Sequence, residues 1–394
     1  MTAPLKVFLV AGEESGDQLG AALMGALVAG TDTPPSFSGV GGGRMAAAGM
    51  ASLFPLSDIA VMGMTEVLGR LPTLVRRIRE TAAAAVAARP DVVVIIDSPD
   101  FTHRVARRIR RVAPNIPIVG YVSPSVWAWR PGRAKAMRGY VDHLLAILPF
   151  EPAVHARLGG PPCTYVGHPL IERLSALRPQ PGERRVAGER PVLVVLPGSR
   201  RGEVRRLLEI FGRTVALVAE RVGPIEVLLP AVAHLADQIE AETAGWPVKP
   251  TVLRGEAEKH AAFRHADAAL AASGTVTLEL AVAGVPMVVA YRLDAFYAMV
   301  KRLNGVLPIV RVASMVLPNI IVGENAVPEF LEEAVEPGRL ADAVAPLLAG
   351  GPERERQEAA FARLDAAMEL GGGLVPSRRA AEVVLAVAAA GRAG

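Results

Sequence analysis

Val192-Leu193-Val194-Val195-Leu196 runs straight into Pro197-Gly198-Ser199-Arg200-Arg201-Gly202-Glu203-Val204. Five apolar residues without polar alternation predict a strand buried on both faces, and the small-residue turn behind them opens a helix. The pattern recurs at Val7–Val10, Val92–Ile96, Ile116–Tyr121, Leu144–Leu148, Ile225–Leu229, Ala268–Ala271 and Pro286–Ala290, with Ala- and Leu-rich helical stretches between the runs. Strands alternating with helices read as βαβ units, so the chain is predicted to be α/β with doubly wound parallel sheets. Its 394 residues exceed one ordinary domain of about 100–200 residues and suit two. A boundary is expected between His168 and Arg190, where Pro169, Pro179, Pro181, Gly182 and Gly188 interrupt a charged segment ahead of a fresh strand. The predicted partition is 1–168, 169–352, and C-terminal helices in 353–394 that pack back on the first domain or on a partner subunit.

Hydrophobic residues make up 51% of the chain and charged residues 21%, enough apolar surface for two cores, which excludes disorder as the general state. No apolar run approaches the roughly 18–20 residues of a spanning helix. Met1 to Val10 lacks the secretory pattern, so a cytoplasmic location is expected. The single cysteine, Cys163, excludes an intrachain disulfide and a thiolate metal cluster, and reads as a small buried hydrophobe. Net charge is +4, and only five of the 43 basic residues are Lys. Guanidinium suits phosphate, but the overall balance gives no case for nucleic acid, and none is expected as a partner.

Doubly wound sheets bind ligands beyond the carboxyl ends of their strands, which directs attention to the loops there. The first strand ends in Ala11-Gly12-Glu13-Glu14-Ser15-Gly16-Asp17, a turn into a helix without dinucleotide spacing. Ser15 and Asp17 read equally as helix caps, whereas Glu13 is aimed where a carboxylate has little structural reason to be. Val92–Ile96 ends in Asp97-Ser98-Pro99-Asp100-Phe101; one carboxylate is expected to cap the next helix and the other to be a candidate general base. Asp91, ahead of that strand, reads by position as structural.

Ser123-Pro124-Ser125-Val126-Trp127-Ala128-Trp129-Arg130 offers aromatics beside hydroxyls, for stacking on a sugar or acyl chain or as a hydrophobic plug. Arg130, Arg133, Lys135 and Arg138 follow as a basic helix face. In the second half, the turn at Pro197–Arg200 predicts a diphosphate site built from backbone N–H groups and Arg200. Ser273-Gly274-Thr275 is a second such turn, with Glu279 one helical turn on and able to accept ribose hydroxyls. Together they suggest a uridine-diphosphate-type donor. The seven histidines are scattered with no H-x-x-x-H pair, and no D-x-D, G-x-S-x-G or Walker A string occurs, so neither a metal nor a cofactor is expected.

Residues 59–79 space Met64, Val67, Leu68, Leu71, Leu74, Val75 and Ile78 by three and four, giving a helical apolar stripe beside Arg70, Arg76, Arg77 and Arg79. This suits either a core helix or one lying on an anionic membrane, with Pro72 expected to divide it.

Nine strings in order between Ala11 and Glu324 resemble the lipid-A-disaccharide synthase family: AGEESGD, GVGGGRM, VMGMTEVLGRLP, IDSPDF, YVSPSVWAWRPGR, VGHPL, LPGSRRGEV, SGTVTLELAVAGVPMVVAY and LPNIIVGE. The resemblance implies a GT-B fold, two doubly wound Rossmann-like domains facing across a cleft. The first would face acceptor and membrane, and the second would bind UDP-sugar. The implied reaction is an inverting, metal-independent transfer of diacylglucosamine from UDP-2,3-diacylglucosamine to 2,3-diacylglucosamine 1-phosphate (lipid X), giving a β-1,6-linked disaccharide and UDP.

By motif, Asp100 would be the base, and Asp91 would be needed for activity. Glu13, Ser15 and Gly16 would belong to the first-strand active-site loop, with Ser123 and Trp127 on the acceptor side. Ser199, Arg200, Ser273, Gly274, Thr275, Glu279 and Asn319 would form the UDP site. The family also implies a peripheral position on the cytoplasmic face of the inner membrane through Met64, Val67, Leu68, Leu71, Leu74, Val75 and Arg76, and a homodimer. Glu14 departs from the Ala common in the family's AGEASGD. Competing readings are another GT-B enzyme of UDP-amino sugars, such as a UDP-GlcNAc 2-epimerase or a peptidoglycan glycosyltransferase, and a non-catalytic lipid or nucleotide-sugar binding protein.

Overall fold

The apolar runs form the middles of two separate six-stranded parallel sheets. The computed structural model describes residues 4–59, 64–184, 189–292 and 314–393; from Met64 to Gly69 it describes the helical backbone alone. The chain divides into two compact units, residues 1–171 with 370–394, and residues 172–369.

In the first unit the strands are β1 (Lys6–Ala11), β2 (Ser36–Val40), β3 (Val92–Ile96), β4 (Ile118–Tyr121), β5 (His143–Ala146) and β6 (Cys163–Tyr165), in the order β2-β1-β3-β4-β5-β6. Side chains alternate across a strand, so each run feeds two cores. Phe8, Val10, Val93 and Ile95 face one way, against Val105 and Ile109 of the helix Pro99–Val112 and Ile78, Ala82 and Ala85 of the helix Met64–Ala88. Val7, Leu9, Val92, Val94 and Ile96 face the other, against Leu23 and Leu27 of the helix Glu14–Ala29 and Ala380, Ala381 and Val384 of the C-terminal helix Pro376–Ala393. Each such buried Val, Leu or Ile contributes about 1.5–3 kcal/mol. Gly39 (φ +140°) lies so close to β1 that a Cβ would run into the Leu9 carbonyl.

The second unit contains β7 (Val192–Leu196), β8 (Glu226–Ala231), β9 (Thr251–Arg254), β10 (Ala268–Ala272), β11 (Met287–Tyr291) and β12 (Glu329–Leu331), ordered β12-β11-β10-β7-β8-β9. Leu193, Val195, Leu270 and Val288 pack against the helices Arg201–Val222 and Pro337–Ala349 through Leu207, Phe211, Val215, Leu340 and Val344.

Two expectations change. The helix Pro352–Met368, grouped by sequence with the tail, belongs to the second unit, where Gln357 hydrogen-bonds both backbone groups of Met287; the C-terminal helix alone returns to the first. Pro72 does not divide its helix, which runs unbroken from Met64 to Ala88. The proline forfeits one intrahelical bond, and burial of Ile78, Ala82 and Ala85 in the turns that follow outweighs it.

In each sheet the chain leaves one central strand and builds outward on both sides. The reversals lie between β1 and β3 and between β7 and β10. Loops diverge beyond the carboxyl ends of such neighbours and leave a ligand crevice.

Candidate active site

At the first reversal, the turn after β1 and the turn after β3 touch: a Cβ on Gly12 would collide with the side chain of Ser98. Ser15 donates its hydroxyl to Asp97 Oδ2 at 2.9 Å, and the Ser98 N–H donates to Asp97 Oδ1 at 2.7 Å. Asp97 and Ser98 both adopt left-handed backbone (φ 52° and 42°), as do Val122 (75°) and Arg130 (52°) after β4. Such residues cost about 1–3 kcal/mol each and collect at functional sites.

Asp97 is thus committed to the turn. Asp100, in the first turn of the helix Pro99–Val112, keeps its side chain 80% exposed, and its ion pair with Arg133 spans 3.2 Å. Glu13 is exposed at the N-cap of the helix Glu14–Ala29 and makes no capping bond with its side chain. Glu14 is exposed 3.6 Å from Arg44.

Other expected residues turn inward. Asp17 is fully buried and accepts the N–H groups of Gly42, Arg44 and Met45 at 2.6, 2.9 and 3.1 Å, capping a helix other than its own. Gly16 packs against the Ile96 carbonyl. Ser123 is buried 2.8 Å from His155 Nε2, and Trp127 stands edge-on to Phe150. Ser123 is thus internal and Trp127 half-buried, and Trp129, 40% exposed, is the more open of the two indoles.

Asp91 lies at the opposite end of β3 from Asp100, about 17 Å away along a strand rising about 3.3 Å per residue. There it accepts two bonds from Arg392 of the C-terminal helix at 2.8 and 2.6 Å and one from the Lys6 N–H at 2.7 Å. The Arg392 bonds hold its carboxyl below the usual range, so this clamp is intact at neutral pH and is lost only as pH falls below about 4.

Glu151 begins the helix Glu151–Leu158, and burial pushes its carboxyl from 4.5 up to about 7, against the opposing hydrogen bond from the Leu148 N–H. A carboxyl raised on folding leaves its stabilisation intact below the unfolded pKa and loses it as pH rises through the folded one. Glu151→Gln should therefore gain about 3 kcal/mol on wild type between about pH 4.5 and 7. Urea midpoints across that window check this, and a pH-independent difference would mean the carboxyl stays ionised throughout.

At the second reversal, Gly198, Ser199, Arg200, Ser273, Gly274, Thr275 and Glu279 line one cavity of about 600 Å³. The turn after β7 differs from expectation. Its Ser199 and Arg200 N–H groups donate to Glu203 Oε2 at 3.1 and 3.3 Å, and Arg200 itself pairs with Glu203 Oε1 at 2.9 Å. An internal carboxylate thus holds the turn that the sequence suggested for phosphate. Arg200 is still 72% exposed, and one bond leaves a guanidinium most of its five donors. The turn after β10 heads the helix Val276–Val282, where the N–H groups of Thr277, Leu278 and Glu279 donate back to the carbonyls of Gly274 and Thr275, so what the turn can offer a ligand is the N–H groups of Gly274 to Val276.

Lys259, which sequence reasoning did not single out, lines the same cavity, with Nζ 2.9 Å from Glu279 and 2.8 Å from Glu256. Asn319 does not line it. It is buried, exchanging two bonds with Val327 and donating to Ser314, while Ser273 donates to the carbonyl of the neighbouring Met315. Asn319 therefore reaches the cavity through the 314–316 segment. Among the described residues no group of three His, Cys, Asp or Glu side chains could hold a metal ion.

Two solved structures share the fold. UDP-GlcNAc 2-epimerase from Neisseria meningitidis bound to UDP-GlcNAc has a TM-score of 0.65 at 12% identity, over 97% of this chain and all of that one. MurG of Acinetobacter baumannii has 0.60 at 12%, over 98% of this chain and all of that one. The sequence comparisons are more specific. The profile described as lipid-A-disaccharide synthetase matches residues 7–373.

The chain belongs to the lipid-A-disaccharide synthase family. The lipid-A-disaccharide synthase of Rhodopseudomonas palustris (strain HaA2) is 54% identical over 383 residues, 97% of this chain and 96% of that one. That of Nitrobacter winogradskyi is 54% identical over 381 residues, 96% and 95% of the two chains. As a member of this synthase family the protein is a glycosyltransferase of lipid A biosynthesis with a GT-B-like fold.

Proposed function

We propose that the protein transfers 2,3-diacylglucosamine from its UDP carrier to the 6-hydroxyl of 2,3-diacylglucosamine 1-phosphate, with inversion and without a metal. The observation that carries this reading is the exposed Asp100 carboxylate at the first unit's strand reversal. Asp100 takes the hydroxyl proton as the oxygen attacks the anomeric carbon, and the bond to the UDP oxygen breaks with its electron pair leaving on the β-phosphate. Arg200 and the helix start at Gly274–Val276 meet the charge on the departing diphosphate. Glu279, held by Lys259, accepts the ribose hydroxyls. Glu13 and Ser15 border the acceptor, Asn319 acts through the 314–316 segment, and Asp91 acts through stability. UDP release on mixing both diacylated substrates in micelles with chelator present tests the reading; release only after divalent metal is restored would contradict it.

The helix Met64–Ala88 supports a peripheral membrane position on an anionic inner-membrane face. Leu71 is 46% exposed, and Pro72, Val75, Arg76 and Arg79 line an open groove beside it. Leu74 packs partly on the core, which removes it from the lipid-facing set, and the side chains of Met64, Val67 and Leu68 lie outside the described residues. Among the described residues no helix is long and apolar enough to cross a membrane. Leu71→Ser with Val75→Ser should weaken binding to anionic vesicles about tenfold or more, with the melting temperature unchanged. Undiminished sedimentation with vesicles would assign this face another role.

A further inference from the structure

Beside Asp100 stands a cluster that the transfer step leaves unused. The Arg133 guanidinium that pairs with Asp100 lies with its central carbon 5.4 Å from the centre of the Trp129 ring, and that of Arg130 lies 4.3 Å from the same ring. Arg107 sits over the Tyr140 ring at 4.6 Å and donates to its hydroxyl at 3.1 Å. His103 approaches that hydroxyl from a buried position, and burial with the nearby cations pushes it down to about 4, so it is neutral at physiological pH. One of these guanidinium groups, that of Arg133, meets the carboxylate, while Arg130 shares its indole and Arg107 rests on Tyr140. Arg107 and Arg130 have no carboxylate partner among the described residues. Two of the three share an exposed indole, which fixes their planes before a ligand arrives, and Arg130 holds left-handed backbone to stay there.

We propose that Arg133, assisted by Arg130, recognises a phosphomonoester on the acceptor and thereby releases Asp100 to act as base. The inference rests on the reaction proposed above. An acceptor hexose carries its reacting hydroxyl and its anomeric phosphate at opposite ends, so a guanidinium that rests on the base must swing away from it to meet the phosphate. Arg133 touches the carboxylate oxygen Asp100 Oδ1, which is then partly spent. A phosphate dianion is a stronger, bidentate partner for guanidinium and draws Arg133 off that oxygen. Acceptor binding and activation of the base are therefore one event. The same chemistry could be offered by an anionic lipid headgroup, and the assay separates the two sources.

The test compares kcat/KM of the full chain on 2,3-diacylglucosamine 1-phosphate and on its dephosphorylated form, in nonionic micelles with and without anionic phospholipid, for wild type, Arg133→Gln and Arg133→Lys. Wild type should favour the phosphorylated acceptor. Arg133→Gln should shrink that preference about 10–100-fold, chiefly through KM, as expected for a lost charged hydrogen bond, and Arg133→Lys should recover part of it. Equal losses on the two acceptors would make Arg133 only an orienter of Asp100 and overturn the inference, as would a loss confined to micelles containing anionic phospholipid. Wild type transferring to neither acceptor would instead remove the underlying reaction, and this inference with it.

Discussion

Asp100→Asn should lower the transfer rate about 10³-fold or more, while UDP affinity stays within about twofold of wild type. The substitution is isosteric and keeps an oxygen for Arg133. At 80% exposure the side chain has no buried partner to orphan, so the fold should be untouched. What disappears is the capacity to accept the hydroxyl proton at neutral pH. Asp97→Asn is the contrasting variant: it weakens the Ser15 and Ser98 bonds that hold the strained turn, so it should lose activity together with thermal stability. Initial rates and UDP titrations on both variants separate the roles. Near-normal turnover by Asp100→Asn would hand the base to another group, with Glu13, exposed on the adjoining loop, the next candidate.

Asp17→Ala should be the most damaging stability change at either strand reversal, costing about 3–5 kcal/mol. One fully buried carboxylate accepts three backbone N–H groups from a glycine turn some 25 residues away in the chain. Alanine leaves those three donors without their acceptor, that of Met45 in a buried place, and loosens the helix Gly43–Ala47 from the helix Glu14–Ala29. Asp17→Asn keeps one accepting oxygen and should fall about midway. Chemical denaturation of all three proteins checks the ranking. An alanine variant within about 1 kcal/mol of wild type would mean that water replaces the carboxylate.

The eight apolar runs legible in the sequence all became strands, and the four strands that were not legible are the outermost ones. β2, β6, β9 and β12 each lie at a sheet edge, and their residues are mostly half-exposed or exposed. With at most one neighbour and no continuous burial they carry no unbroken apolar run to read. The site followed the same division. Ser199, Arg200, Ser273, Gly274, Thr275 and Glu279 gather around one cavity because parallel strands bring their trailing loops to one edge. Ser123, Trp127 and Asn319 carry types of side chain that suit a ligand equally well. Their partners are His155, Phe150 and the Val327 backbone, contacts that no local pattern encodes. Glu203 and Lys259 were missed for the converse reason. Each looks like an ordinary helix charge until the fold sets it against the turn or the carboxylate it holds.

Asp91 shows how position and motif can conflict. Its clamp on Arg392 and Lys6 is at the amino end of β3, tying the C-terminal helix to β1, so a need for this carboxylate in activity is a need for a stable first unit. Asp91→Asn should therefore lower the melting temperature while kcat at low temperature stays within about twofold.

The stereochemistry of the product tests the proposed mechanism most directly. With a donor α-linked to UDP, attack by an alcohol deprotonated at Asp100 must place the new bond on the opposite face. Proton NMR of the disaccharide formed by the full chain in nonionic micelles should show only the β-1,6 linkage. An α-linked product would contradict the single displacement and with it the role given to Asp100.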